Sequence, residues 1–237
     1  MRGQPDYGMY APKEVTASIS DMGEVAARLG SIVIYDKRGD VVDFDNFEEP
    51  VLRWRIDAGL PETIQFNSLY PRSGSQCLRL YADGVGSDPM IYSNISILGS
   101  SRLGFEVSFN NLSGTTDLQF YNQFYSGTHL LRAGIKVDRL NSLLYIRDAA
   151  DNWVLYQDLI KLTSPCYYTM KYVVDFSTGY YVRVMFGKLE YDASTIQCYS
   201  MVSVAAPQIG RIIQLVTKAA AAGVVDIDDF VQTQAEP

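Results

Sequence analysis

From Val41 to the end of the chain, apolar residues recur at every second position, and this period constrains the fold more than any other feature. Phe105, Val107 and Phe109 share one face of a strand, while Glu106 and Ser108 take the other. Residues 52–56 (Leu-Arg-Trp-Arg-Ile) and 74–81 alternate in the same way. Further strands are predicted over 90–97, 118–125, 130–137, 143–147, 153–156, 209–217 and 224–231. The breaks between them, at 110–114, 126–127, 138–142 and 148–152, are rich in Asn, Asp, Ser and Gly, which close turns through local hydrogen bonds or positive φ. Residues 167–176 and 179–186 predict a hairpin around Ser177-Thr178-Gly179, with Tyr180, Val182, Val184 and Phe186 on one face and Tyr181, Arg183 and Met185 on the other. Many short strands with almost no 3.6-residue period predict an all-β fold, an antiparallel β-sandwich or jelly roll.

The first 40 residues do not follow this pattern. Pro5, Gly8 and Pro12 interrupt regular structure and predict an extended arm. Ser20 is placed to cap a short helix over Asp21–Leu29, with Asp21 and Glu24 in its positive first turn and Gly30 as its stop. The apolar face Met22, Val25, Ala26 and Leu29 must then pack against something. The organisation expected is an arm and helix over 1–40, used for assembly or attachment, and a sandwich over 41–237. No apolar stretch follows Arg2, so no export signal is expected and synthesis in the cytosol is. No run is long enough to span a bilayer, and no membrane partner is expected.

Composition narrows the chemistry. The 237 residues carry 20 Lys+Arg against 27 Asp+Glu, a net charge of -7, which repels phosphate backbones and argues against nucleic acid as a partner. Cys77, Cys166 and Cys198 form no CxxC pair and are expected as buried free thiols. His129 is the single histidine and falls in a turn, and no G-x-S-x-G elbow occurs, so no nucleophilic triad is expected. Glycoside hydrolysis needs two carboxylates facing one cleft. Glu106 stands alone in its strand, Glu190 has only Asp192 beside it, and the adjacent Glu48 and Glu49 point apart. The chain is therefore expected not to be an enzyme. Sugars stack on aromatic platforms beside polar groups, and Tyr121, Tyr125, Trp153 and Tyr156 are the candidates for such a platform. The competing reading of the same aromatics is that half fill the core and the rest cover strand pairs.

Four segments resemble the concanavalin-like, laminin-G-like jelly rolls, a superfamily that includes carbohydrate-binding modules and some phage particle proteins. They are Asp43-Phe44-Asp45-Asn46-Phe47-Glu48 with Trp54 downstream, residues 73–80, residues 168–176 running on through Gly179-Tyr180-Tyr181, and Val225-Asp226-Ile227-Asp228-Asp229-Phe230-Val231. The resemblance implies a sandwich with its opening acidic strand near its closing Asp strand. That makes Asp45, Glu48, Asp83, Asp226 and Asp228 the candidates for a structural calcium, the one cofactor it implies. The glucanase members carry a clustered Glu-x-Asp-x-(x)-Glu on one strand, which this chain lacks.

Two functions from different classes follow as expectations. The first is a non-catalytic structural protein of a large assembly, a bacteriophage virion component such as a capsid decoration, whose residues 1–40 contact other copies or other particle subunits. The arm, the sparse charge and the high Tyr content support it, and the opening segment looks similar to arms of phage-borne proteins. The alternative is a glycan-binding domain of a surface or secreted protein.

Overall fold

The computed structural model describes residues 36, 38–57, 64–84, 88–114, 116–159, 161–218 and 222–237. The predicted helix and most of the predicted arm lie outside these residues. Among the described residues the chain forms strands and no helix, arranged as two antiparallel sheets packed face to face.

The first sheet contains β1 (Asp40–Asp45), β3 (Ile64–Asn67), β4 (Cys77–Ala82), β6 (Arg102–Gly114), β11 (Tyr167–Asp175), β12 (Tyr180–Phe186), β13 (Leu189–Asp192) and β16 (Gly223–Gln234). Its order is β13-β12-β11-β6-β16-β4-β3, and β1 pairs with the far half of β16. The second contains β2 (Arg55–Ile56), β5 (Met90–Ile95), β7 (Asp117–Tyr125), β8 (His129–Asp138), β9 (Leu143–Arg147), β10 (Trp153–Asp158), β14 (Tyr199–Val202) and β15 (Gln208–Val216). Its order is β10-β9-β8-β7-β15-β5-β2, with β14 also pairing β8. Neighbours in space are often distant in sequence, which is the mark of a jelly roll rather than a meander.

The inner faces hold the core. Phe105 and Tyr172 of the first sheet meet Phe120 of the second, with ring centroids 5.5 Å and 5.4 Å from Tyr172. Phe230 lies edge-on to Trp54 at 4.9 Å and to Phe120 at 6.0 Å. These rings are at most 5% exposed, and burial of each contributes on the order of 1.5–3 kcal/mol.

Two expectations are corrected here. In β12 the register passes from Val173↔Arg183 to Val174↔Tyr181, leaving Val182 as an extra residue. A bulge of this kind inverts the alternation behind it. Tyr181 is therefore in the core with Val184 and Phe186, while Tyr180 is exposed. Cys77 and Cys198 are buried, but Cys166 is exposed at the turn before β11.

The outer face of the first sheet is polar and yet sealed. Lys171 is 1% exposed, with its Nζ 2.9 Å from Asp36 and 2.6 Å from Glu236. Arg183 pairs with Glu236 on the same face, and Arg38 reaches Glu190 at 2.6 Å. Asp36 and Arg38 thus seat the start of the described chain on this sheet. Burial alone would raise the Asp36 carboxyl, but hydrogen bonds from Arg38 and the charge of Lys171 outweigh it and hold Asp36 at about 2.

Candidate functional site

The outer face of the second sheet is built differently. Along β7 the outward positions are Gln119, Tyr121, Gln123 and Tyr125, because Leu118, Phe120 and Phe124 point into the core. Opposite them on β8 stand Lys136, Gly134 and Arg132. Tyr145 pairs with Lys136, and Trp153 pairs with Arg147 across the 148–152 turn. The tight hairpin brings these side chains to one surface, where cations and rings alternate. The Arg147 guanidinium lies 4.9 Å from the Trp153 ring and 5.3 Å from Tyr121. Lys136 Nζ lies 4.2 Å from Tyr145 and 5.8 Å from Trp153. Arg132 lies 5.6 Å from Tyr199 of β14. Such contacts hold long cationic side chains flat against the sheet and limit their rotamers.

Gly134 lets the ladder pack closely. A Cβ there would come within 2.3 Å of the Tyr121 Cβ and 2.8 Å of the Phe120 carbonyl oxygen. Gly134 also lies where the partner of β8 changes, since β14 pairs residues up to Arg132 and β9 pairs residues from Ile135. Tyr181 of the first sheet fills that gap from inside. Its hydroxyl accepts a hydrogen bond from the Gly134 N–H at 2.7 Å and donates one to the Arg147 carbonyl at 3.0 Å. The bulge at Val182 is what turns Tyr181 inward to do this, so a defect in one sheet fixes the backbone of the face on the other.

Of the four aromatic candidates, Tyr121, Tyr125 and Trp153 share this face. Tyr125 donates to Gln123 at 3.0 Å, and burial raises the Tyr121 hydroxyl above its ordinary range. Tyr156 stands apart. It is the extra residue at a register shift in β10, meets Tyr191 edge-on at 6.1 Å, and donates to the Asp192 carbonyl at 2.8 Å. It closes the edge between β10 and β13. Tyr145, Lys136, Arg132 and Arg147 were not singled out in the sequence. The signal for them was present in the alternation Tyr145-x-Arg147 and in the register that a five-residue turn imposes on Trp153.

The five calcium candidates do not converge. Asp45 accepts from the Phe47 N–H and Trp54 Nε1, both at 2.9 Å, and burial raises its carboxyl. Glu48 accepts from Ser75 N, Ser75 Oγ and Gln76 N. Asp226 binds Arg79 at 2.7 Å and Asn67 at 3.1 Å. Asp228 accepts the backbone N–H groups of Arg72, Ser73 and Asp229, and Asp83 is exposed. The opening and closing acidic strands are spent on closing loops and pairing arginines. Among the described residues no group of three or more His, Cys, Asp or Glu side chains is arranged to hold a metal ion.

One carboxylate pair does occur on the aromatic face. Asp117 and Asp138 are direct cross-strand partners. Lys218 reaches both, at 2.9 Å and 2.7 Å, and Lys136 reaches Asp117 at 3.2 Å. Burial would raise Asp138, but hydrogen bonds from Lys218 and Asn141 outweigh it and hold it ionised. A glycosidase acid needs the opposite shift, a carboxyl that keeps its proton. The single histidine, His129, is exposed at the start of β8 and contacts the neighbouring Thr128 hydroxyl.

A concavity of about 400 Å³ opens between β1 and β5 and is lined by Asp43, Arg53, Trp54 and Arg211 among others. Asp43 bridges Arg53 and Arg211, while Arg211 is also held by Ser93 and lies over the Trp54 and Phe230 rings. Its charges pair internally across the open edge of the sandwich.

No family model matches the sequence, and no curated protein matches it. Similar solved structures exist. A Bacillus licheniformis beta-glucanase is 8% identical with a TM-score of 0.54, over 81% of this chain and 97% of its own. A protein of unknown function with a galectin-like fold from Bacillus subtilis is 13% identical with a TM-score of 0.52, over 84% and 98%. The fold is a concanavalin-like jelly roll. A glycoside hydrolase family 16 endo-glucanase from Bacteroides ovatus, 10% identical with a TM-score of 0.51 over 81% and 100%, has the same architecture. At these identities the jelly-roll likeness extends to the fold and no further.

Proposed function

We propose that the chain is a glycan-binding domain that holds a saccharide along the outer face of its second sheet without cleaving it. The observation that carries this reading is the surface formed by Tyr121, Tyr145 and Trp153 with Arg132, Lys136 and Arg147 between them. Aromatic rings offer the C–H faces of sugars a stacking surface. The flanking Gln119, Gln123 and Gln214 supply amide donors and acceptors for hydroxyls. The rigid β-scaffold beneath them lowers the entropy lost on binding. The two glucanases share the architecture, an analogy at the level of fold.

The non-catalytic part of the reading rests on the Asp117–Asp138 pair, which Lys218 bridges and Lys136 also contacts, with Asp138 held below its ordinary range by Lys218 and Asn141. The expectation of a virion subunit gains no support. The similar structures named above include two glucanases and a protein of unknown function, and residues 1–35, on which that reading leaned, lie outside the described residues.

Screening the full chain on a broad glycan array, followed by titration calorimetry of the best ligand, tests the proposal. Trp153→Ala is expected to weaken that ligand by about tenfold or more, a loss of at least ~1.4 kcal/mol. An array with no bound glycan, or a hydrolysis product released from the ligand, sinks it.

A further inference from the structure

We propose that this face selects an acidic glycan, one whose sugar units carry a carboxylate or sulfate group, and that Arg132 and Arg147 seat that group. The inference rests on the glycan-binding reading and specifies its ligand.

Arg147 Nε lies 2.5 Å from one oxygen of Asp151, and Arg132 Nη1 lies 2.6 Å from the other. Two guanidinium groups thus share one carboxylate, and neither forms with it the parallel two-bond fork that satisfies an arginine most fully. The trio of Arg132, Arg147 and Asp151 carries a net charge of +1, on a chain whose net charge is -7. The rings fix where that charge sits. Arg147 is held between Tyr121 and Trp153, and Arg132 against Tyr199. Both side chains remain partly exposed, at 14% and 21%.

Asp151 is itself held in place. It takes a left-handed φ of 65° in the 148–152 turn, and Asp148 closes that turn by accepting the N–H groups of Ala150 and Asn152, each at 2.9 Å. Two oriented cations anchored from one side present their remaining N–H groups to the same surface on which sugar rings would stack. An oxyanion there gains charge-assisted hydrogen bonds without the cost of ordering the arginines. The overall negative charge disfavours diffuse attraction to polyanions, so selection falls to this local geometry.

The test titrates the full chain, in about 150 mM salt, where the Debye length is ~8 Å, with four probes: an oligogalacturonate, its methyl ester, a sulfated galactan oligosaccharide and a single-stranded DNA oligonucleotide. At least one acidic saccharide is expected to bind about tenfold tighter than the neutral ester, and the two acidic arms separate carboxylate from sulfate. Arg132→Gln combined with Arg147→Gln is expected to abolish that preference, lowering acid affinity about tenfold more than ester affinity. Asp151→Asn, on an exposed turn, is expected to tighten acidic ligands by about threefold and leave the ester unchanged. Affinity for neither acidic saccharide above that for the ester, or tighter acid binding after the arginine substitutions, overturns the acidic selectivity and leaves the glycan reading standing. Binding of DNA in preference to every saccharide overturns both.

Discussion

On the outer face of the first sheet, Glu106, Lys171 and Asp228 are at most 1% exposed. On the outer face of the second, the side chains of Lys136, Arg147 and Arg132 keep 14%, 14% and 21% of their surface. Both faces are the polar half of an alternating strand pattern. The first uses its charges against each other in places that water does not reach, so they set which chain segments seat on the sheet. The second leans its charges on aromatic rings at the surface, where a ligand can meet them. The comparison predicts that substitutions on the first face act on stability and those on the second act on binding.

The largest effect is expected from Lys171→Met. It leaves Asp36 and Glu236 buried beside Arg183 with one cation fewer, and an uncompensated buried charge costs about 3–5 kcal/mol. Urea denaturation measures this, and a loss under ~1 kcal/mol breaks the contrast between the faces.

Asp228 gives the next. Burial, with Asp229 beside it, pushes its carboxyl up to about 7, against an unfolded value of about 4. Between those values the folded chain binds the extra proton, so this group favours folding below about pH 4 and loses that contribution as pH rises through about 7. Asp36, Glu48 and Asp138 are shifted down and act in the opposite sense, losing their contribution as pH falls. The group is isolated by comparison with Asp228→Asn. The stability difference between wild type and variant is expected to move by about 1–3 kcal/mol in the variant's favour from pH 4 to pH 8. A pH-independent difference refutes the assignment.

How much of this was legible in the sequence depends on what alternation can say. It gave the faces of β6 correctly, with Phe105, Val107 and Phe109 inward. It could not say that Glu106 and Lys171, on the outward side, are sealed, because burial of that face depends on segments remote in sequence, such as Asp36 and Glu236. It misplaced Tyr180 and Tyr181, since one extra residue at Val182 inverts a period of two. Strands β3 and β14 are four residues each, too short for the period to register. At the site, Tyr121 and Trp153 could be named from residue type. Their partners could not, because the ladder crosses β7, β8, β9 and β10 and exists only once the register is set. Tyr156 was grouped with them because composition does not distinguish an edge from a face.

Tyr181 joins the two regions, and removing its hydroxyl sharpens the comparison. Tyr181→Phe keeps the ring in the core but leaves the Gly134 N–H and Arg147 carbonyl without that partner. A buried donor left unsatisfied costs about 1–3 kcal/mol. The same change frees the backbone under the ladder, so glycan affinity is expected to fall with stability, unlike in Lys171→Met. Parallel denaturation and calorimetry separate the two cases. Unchanged affinity at reduced stability would show that the face does not depend on the core bridge.

The smallest stability effect is expected from Trp153→Ala. Trp153 begins β10 at the sheet edge, is partly exposed, and contacts the cations Arg147 and Lys136 rather than the core cluster. Exposed cation–π contacts are worth about 0.5–1 kcal/mol each. Arg147 keeps Tyr121 and Lys136 keeps Tyr145 after the substitution, so the net loss is expected to stay within ~1 kcal/mol. If Trp153→Ala instead unfolds as readily as Lys171→Met, the second face is a structural surface like the first, and the division of labour between the two sheets is wrong.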